Sequence, residues 1–134
     1  MATARVELRI AADADAVWKV IGDFETGPLK MAPGHVIECR TDRDIRTVVF
    51  ADGTVARERL VTIEDSQRRI VYAVLGDTVK PEHDNASMQV LPLGYRSCRL
   101  IWLHDVLPSD LAESLAAAMR EGGSVIKATL ETSE

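Results

Sequence analysis

The spacing of apolar positions changes period along this chain, and each change marks an element. In "ATARVELRI", Val6, Leu8 and Ile10 alternate with Arg5, Glu7 and Arg9, the two-residue period of a half-buried strand. "AADADAVWKVIGDF" then shifts to helical spacing. Val17, Val20, Ile21 and Phe24 form one stripe flanked by Trp18, with Asp13 as N-cap and Asp15 in a first turn that favours acids. Gly22 ends or weakens this helix, and "ETGPLKMAPGH" reads as a second short helix stopped by Pro33-Gly34.

From residue 35 the period falls to two again. "HVIECRT", "IRTVVFA", "TVARERLVTIE", "RRIVYAVLG", "NASMQVLPL" and "SCRLIWLHDV" are successive strand candidates. Turn-rich "DRD", "DG", "EDSQ" and "LGY" connect them, and Asp52-Gly53 is a strong hairpin signal. The longest connection, "GDTVKPEHD" over residues 76–84, reads as a loop. Pro108-Ser109-Asp110 opens a last helix with Ser109 as cap, and Leu111, Leu115, Met119, Gly122, Ile126 and Leu130 recur at helical spacing. Inside that helix, Gly122 and Gly123 each cost about 1 kcal/mol relative to alanine. They mark a close approach to a sheet, space left for a ligand, or a tolerated bend.

Strands that follow one another without helices between them pair antiparallel. The pattern therefore predicts an α+β fold, with a seven-stranded antiparallel sheet, two short helices between strands 1 and 2, and a long C-terminal helix. A sheet this wide curls rather than staying flat. Only the last helix is long enough to cover its concave face. One domain is expected over residues 1–134.

Composition then narrows the partners. A content of 46% hydrophobic and 28% charged residues fits a soluble globular protein. No apolar run approaches the roughly 20 residues of a membrane span, and "MATARVELRI" lacks an apolar signal core. The expectation is a cytoplasmic protein without membrane insertion, with Cys39 and Cys98 as reduced interior thiols. A net charge of −5 and 4% aromatic content argue against nucleic acid. No His or Cys pair stands at metal-ligand spacing and "EGGS" lacks the lysine of a phosphate loop, so neither metal nor cofactor is expected. Oligomeric state is left open, a homodimer included.

The segments "ADADAVWKVIGDF", "DGTVARERLVTIEDSQRRIVYAVL", "ASMQVLPL", "CRLIWLHDVLP" and "SVIKATLE" resemble the helix-grip superfamily of START, Bet v 1 and polyketide cyclase/dehydrase-like proteins, often called SRPBCC. The resemblance covers essentially the whole chain and is carried by pattern rather than by one catalytic motif. It implies a curved sheet gripping the last helix around a cavity for lipids, polyketides or similar apolar molecules. Plant abscisic acid receptors carry a similar Glu-Arg-Leu on the matching strand, where the glutamate lines the cavity; the matching residues here are Glu58, Arg59 and Leu60. Two departures stand out. "PLKMAPG" lacks the tryptophan many bacterial members carry in the second helix, and "FADGT" and "GDTVKPEHD" do not match the hormone receptors' gate loops. Hormone sensing is not carried over.

Candidate chemistry begins with a puzzle in "VARERL". If Arg57 and Arg59 face water, Glu58 points inward with Ala56 and Leu60. A buried carboxylate is costly unless something pairs with it. In the curved-sheet frame that the resemblance implies, Tyr72, Trp102 and His104 face the same interior. The expected lining is Glu58, Tyr72, Val74, Ala86, Met88, Trp102, His104, Leu115 and Met119. Glu58 and His104 are the candidates for orienting a ligand or for acid–base catalysis. The competing reading pairs Glu58 with an arginine, or has it cap a strand edge, and makes His104 a satisfied core histidine. Asp84 shares parity with Ala86 and Met88 but reads first as a solvated loop carboxylate. His104 and Asp105 fall on opposite faces of one strand, which argues against a hydrolytic triad. Three functions fit: a carrier for a small apolar, lipid- or polyketide-like molecule with a polar end, a cyclase/aromatase- or dehydratase-type enzyme, and a cavity-poor interaction module.

Overall fold

Val6 and Ile10 are buried while Arg5, Glu7 and Arg9 stay in water, and this alternation forms β1, Ala2–Ile10. The computed structural model describes residues 1–132; the last two residues of the expected 1–134 unit lie outside the described residues. Two short helices follow, α1 (Ala14–Ile21) and α2 (Gly27–Met31). Then come β2 (Val36–Asp42), β3 (Ile45–Phe50), β4 (Val55–Glu64), β5 (Arg69–Val74), β6 (His83–Gly94) and β7 (Ser97–Leu107). A long helix, α3 (Leu111–Thr132), completes the described chain. The strands make one antiparallel sheet in the order β1-β7-β6-β5-β4-β3-β2, the fold that the pattern predicts.

Local chemistry sets the boundaries. Asp13 occupies the N-cap of α1, but its backbone carbonyl, not its carboxylate, accepts the Val17 N–H at 3.0 Å. Gly22 ends α1, so Phe24 is buried in the connection rather than on the helix. The Trp18 indole donates to Asp65 at 3.0 Å, tying α1 to the turn before β5. The helix α3 begins at Leu111, which puts Asp110 rather than Ser109 in the cap position. Strand β6 begins at His83, so two residues assigned to the long loop belong to the sheet. The thiols of Cys39 and Cys98 are free, and burial pushes both toward the protonated form.

The main core joins Ile10, Val17, Ile21, Ile70, Val90 and Leu100 to Ile126 and Leu130 of α3. A smaller cluster packs Met119 against Ala4 and Val6. The helix α3 lies chiefly along β1, with lesser contact to β7 and α2, so it covers one side of the sheet. The glycine pair makes this contact close. A Cβ on Gly123 would stand 3.2 Å from Leu8 Cδ1 and 3.6 Å from Val6 Cγ1. One on Gly122 would stand 3.3 Å from His35 Nε2 and 3.8 Å from Trp102. The close-approach reading of these glycines therefore holds.

Gly123→Leu tests that contact. Leucine improves helix propensity by nearly 1 kcal/mol, but here it must displace Leu8 and Val6 from a packed interface. We expect a net loss of about 1–3 kcal/mol in urea unfolding, the range for overpacked cores. An unchanged or raised midpoint would show that α3 does not sit this tightly on β1.

Candidate functional site

Strand register arranges the concave face in transverse rows. One row runs Leu60, Tyr72, Ala86, His104, Ala4 across β4, β5, β6, β7 and β1. The next runs Ile70, Met88, Trp102, Val6. On the other side of Tyr72 a third runs Arg46, Glu58, Val74 across β3, β4 and β5. Polar groups thus gather around Tyr72 from β3, β4, β6 and β7 and from the α1–α2 connection.

Glu58 does point inward, and its partner is Arg46. Both are buried, Arg46 at 3% and Glu58 at 8% exposure. Arg46 Nε donates to Glu58 Oε1 at 2.7 Å, and its Nη1 donates to the Phe24 carbonyl at 3.1 Å. The guanidinium also lies between two rings, 4.6 Å from the Phe24 centroid and 4.8 Å from that of Tyr72. Stacking of a desolvated cation on an aromatic face is worth about 2 kcal/mol. Burial works against the charged guanidinium, but the Glu58 carboxylate and its hydrogen bond outweigh it and hold the Arg46 pKa above its usual range. The arginine-pairing alternative for Glu58 is therefore the observed geometry.

The β3–β4 turn decides this pairing. A two-residue turn at Asp52-Gly53 would set Glu58 opposite Thr47. Instead Phe50 N–H bonds the Thr54 carbonyl at 2.8 Å around a three-residue loop, with Gly53 at a φ of 93°. The extra residue moves Arg46 opposite Glu58. Arg57 and Arg59 stay exposed, as the alternation requires.

A second buried pair overturns the reading of Asp84 as a solvated loop carboxylate. Asp84 is 8% exposed and His104 5%, and His104 Nδ1 bonds Asp84 Oδ1 at 2.6 Å. The reason is register: Asp84 belongs to β6, diagonally across from His104 on β7, within side-chain reach on the same face. A carboxylate only accepts, so Nδ1 carries the hydrogen and Nε2 is turned away from Asp84. His104 has alanine on both sides, Ala4 and Ala86, which leaves space for the ring. Across Ala86 it meets Tyr72 edge-on at 6.1 Å, and Trp102 lies 6.0 Å away. Asp105 lies on the opposite face, accepting from Thr3 Oγ1 at 2.6 Å.

Tyr72 is buried at the centre of the group. Its pKa is driven well above 10.0, first by burial and then by the Glu58 charge, so the phenol is held neutral. The Trp102 indole N–H is near enough to the phenol to ease its ionisation, yet this buried donor makes no hydrogen bond.

The remaining positions divide in two. Ala86, Met88 and Met119 are fully packed. Trp102, Val74, Leu60 and Leu115 keep partial contact with water although they belong to the interior. Leu115 and Met119 sit with Ala4 and Val6 under α3, while Val74 stands beside Glu58. Arg46, Phe24 and His35 were not anticipated. The one sequence signal for Arg46 is its parity with Val48 on the hairpin partner of β4. Among the described residues, no three His, Cys, Asp or Glu side chains converge as metal ligands would, and no helix is long and apolar enough to cross a membrane.

A family model described as polyketide cyclase / dehydrase and lipid transport matches residues 1–131. No curated protein matches the chain in sequence. A solved structure from Bacillus thuringiensis superposes with a TM-score of 0.84 at 17% identity, covering 96% of this chain and 98% of that one. A START superfamily protein from Mycobacterium smegmatis gives 0.74 at 16%, covering 96% and 97%. Norcoclaurine synthase from Thalictrum flavum, in complex with dopamine and hydroxybenzaldehyde, gives 0.67 at 21%, covering 98% and 88%. At these identities the likeness is one of fold.

Two outcomes follow from the geometry. Arg46→Met or Glu58→Leu alone strands a buried charge and should cost about 3–5 kcal/mol, whereas the double variant should cost much less than the sum. Additive losses in urea unfolding would contradict a coupled pair. Tyr72 gives a pH signature. Its folded pKa is raised, so its contribution to stability is complete below 10.0 and is lost as pH rises beyond that. The phenolate absorbance of one of the two tyrosines should therefore appear only with alkaline unfolding, and Tyr72→Phe should remove that late step.

Proposed function

This chain belongs to the polyketide cyclase / dehydrase and lipid transport family, and from that premise we propose that it binds a small apolar molecule with a polar end between the curved sheet and α3. The observation that carries this reading is Trp102. It lies on the concave face between buried Leu100 and His104, yet part of its surface meets water and its buried N–H has no partner. A buried donor left unmade costs about 1–3 kcal/mol. A ligand acceptor at that point would satisfy it, while the ligand's apolar part would cover Trp102, Leu60 and Val74. Such a division, mostly apolar with a few placed polar groups, is that of small-molecule sites.

A second reading, acid–base catalysis in the same place, is favoured by the Asp84–His104 bond alone. Asp84 orients the imidazole and leaves Nε2 free as a base, next to a neutral phenol able to donate. In that reading Glu58, neutralised by Arg46, is not the proton carrier, and His104 is.

Native mass spectrometry on protein purified from its own host tests the binding reading. A discrete added mass that is lost on denaturation is the expected result. Val74→Trp, which puts a large ring on the inner face beside Glu58, should abolish that mass while circular dichroism stays native. A Val74→Trp protein that keeps its full added mass would place the ligand elsewhere. A native protein that neither carries a mass nor brightens Nile red would make the interior a filled core.

A further inference from the structure

The charge balance of the concave face says what kind of polar end it can accept, an inference that rests on the binding reading above. Besides the neutral Tyr72 phenol and Cys98 thiol, four ionisable side chains are buried among the described residues: Arg46, Glu58, Asp84 and His104. The Arg46 cation is matched by Glu58 at 2.7 Å, its Nη1 donates to the Phe24 carbonyl, and the Phe24 and Tyr72 rings cover the guanidinium, so its unit of charge is already compensated. His104 is bound to Asp84, so that pair is neutral when the imidazole is protonated and negative when it is not. The four therefore sum to zero in the first state and −1 in the second, never to a positive charge. Other cations lie off this face or in water. Lys127 on α3 is engaged by the Arg9 carbonyl and Glu131. His35, beside Gly122 and edge-on to Phe50, is partly exposed, and solvent screens any charge it carries. A ligand carboxylate or phosphate would therefore enter with no counter-charge, and an unpaired buried anion is strongly disfavoured. What the face does offer is neutral donors: the unpartnered Trp102 N–H and the Tyr72 O–H.

We propose that this protein selects ligands whose polar end is an uncharged hydrogen-bond acceptor, a ketone, aldehyde or alcohol oxygen, and excludes free acids and phosphates. Trp102 and Tyr72 are the specificity-determining donors. The two ion pairs act as charge-neutral walls rather than as anion receptors.

Displacement of Nile red by three probes of equal chain length tests this: octan-2-one, octanoate and octane, above the pH range where carboxylic acids protonate. Octan-2-one should compete at roughly tenfold lower concentration than octane, the scale of one satisfied buried donor, and octanoate should compete more weakly than octane. Trp102→Phe keeps the ring and removes the N–H, and should erase most of the ketone's advantage while octane is unaffected. Tyr72→Phe, read in the same way, guards against a Trp102 variant that fails to fold. Octanoate competing as well as octan-2-one overturns this inference and leaves the binding reading standing. Failure of the dye and all three probes to bind overturns both.

Discussion

A cation cannot be taken out of water unless its surroundings replace the water, and Arg46 imposes that condition on half of this fold. Its surroundings are four groups from three places: a carboxylate on β4, the carbonyl and ring of Phe24 in the α1–α2 connection, and a second ring on β5. No single element contains the set. The connection after α1 must therefore fold back over the sheet, β3 and β4 must pair in one register, and Tyr72 must lie flat beside the guanidinium. Register in a sheet is usually defended by the apolar face. Here a buried charge adds a second penalty for slipping, because a shift by one residue would set Arg46 opposite Arg57 or Arg59 instead of Glu58.

The other half of the interior is organised by proximity. Gly122 and Gly123 let α3 come down onto β1, where Leu8, Val6 and His35 meet the helix backbone directly. Because α3 lies to that side, the concave surface of β4 and β5 is not roofed by it. Trp102 stands at the transition between the two halves, in contact with Met119's cluster and with His104. Its partial exposure is what the geometry of a one-sided roof produces, and the site proposed above is built around it.

Elements with a clear period were legible in the sequence because periodicity is written locally. The strand parities of Glu58, Tyr72, Trp102 and His104 could be counted along each strand, and they hold. What joins them could not be counted. Arg46 looked like one more strand charge because its burial depends on a turn being three residues long rather than two. Asp84 looked like a loop acid because nothing local shows that β6 starts two residues early to reach His104. Phe24 looked like part of a helix that in fact ends at Gly22. In each case the missing information was a distance between segments, which a pattern within one segment does not hold. The lining roles given to Val74, Ala86, Met88, Leu115 and Met119 remain expectations about a ligand, although their positions on the inner face are plain.

The alanines on either side of His104 have a consequence for how this sequence can change. Ala4 and Ala86 are small because an imidazole and its carboxylate occupy the volume their side chains would otherwise fill. A larger residue at 86 would have to displace the Tyr72 or His104 ring on either side of it, and a smaller residue at 104 would open a void above both alanines and strand Asp84. Either step alone destabilises the core. Positions 84, 86 and 104 are therefore coupled in this structure: a change of size or charge at one alters what the other two can hold. Repacking this spot thus means exchanging bulk and charge at several positions together, not at one.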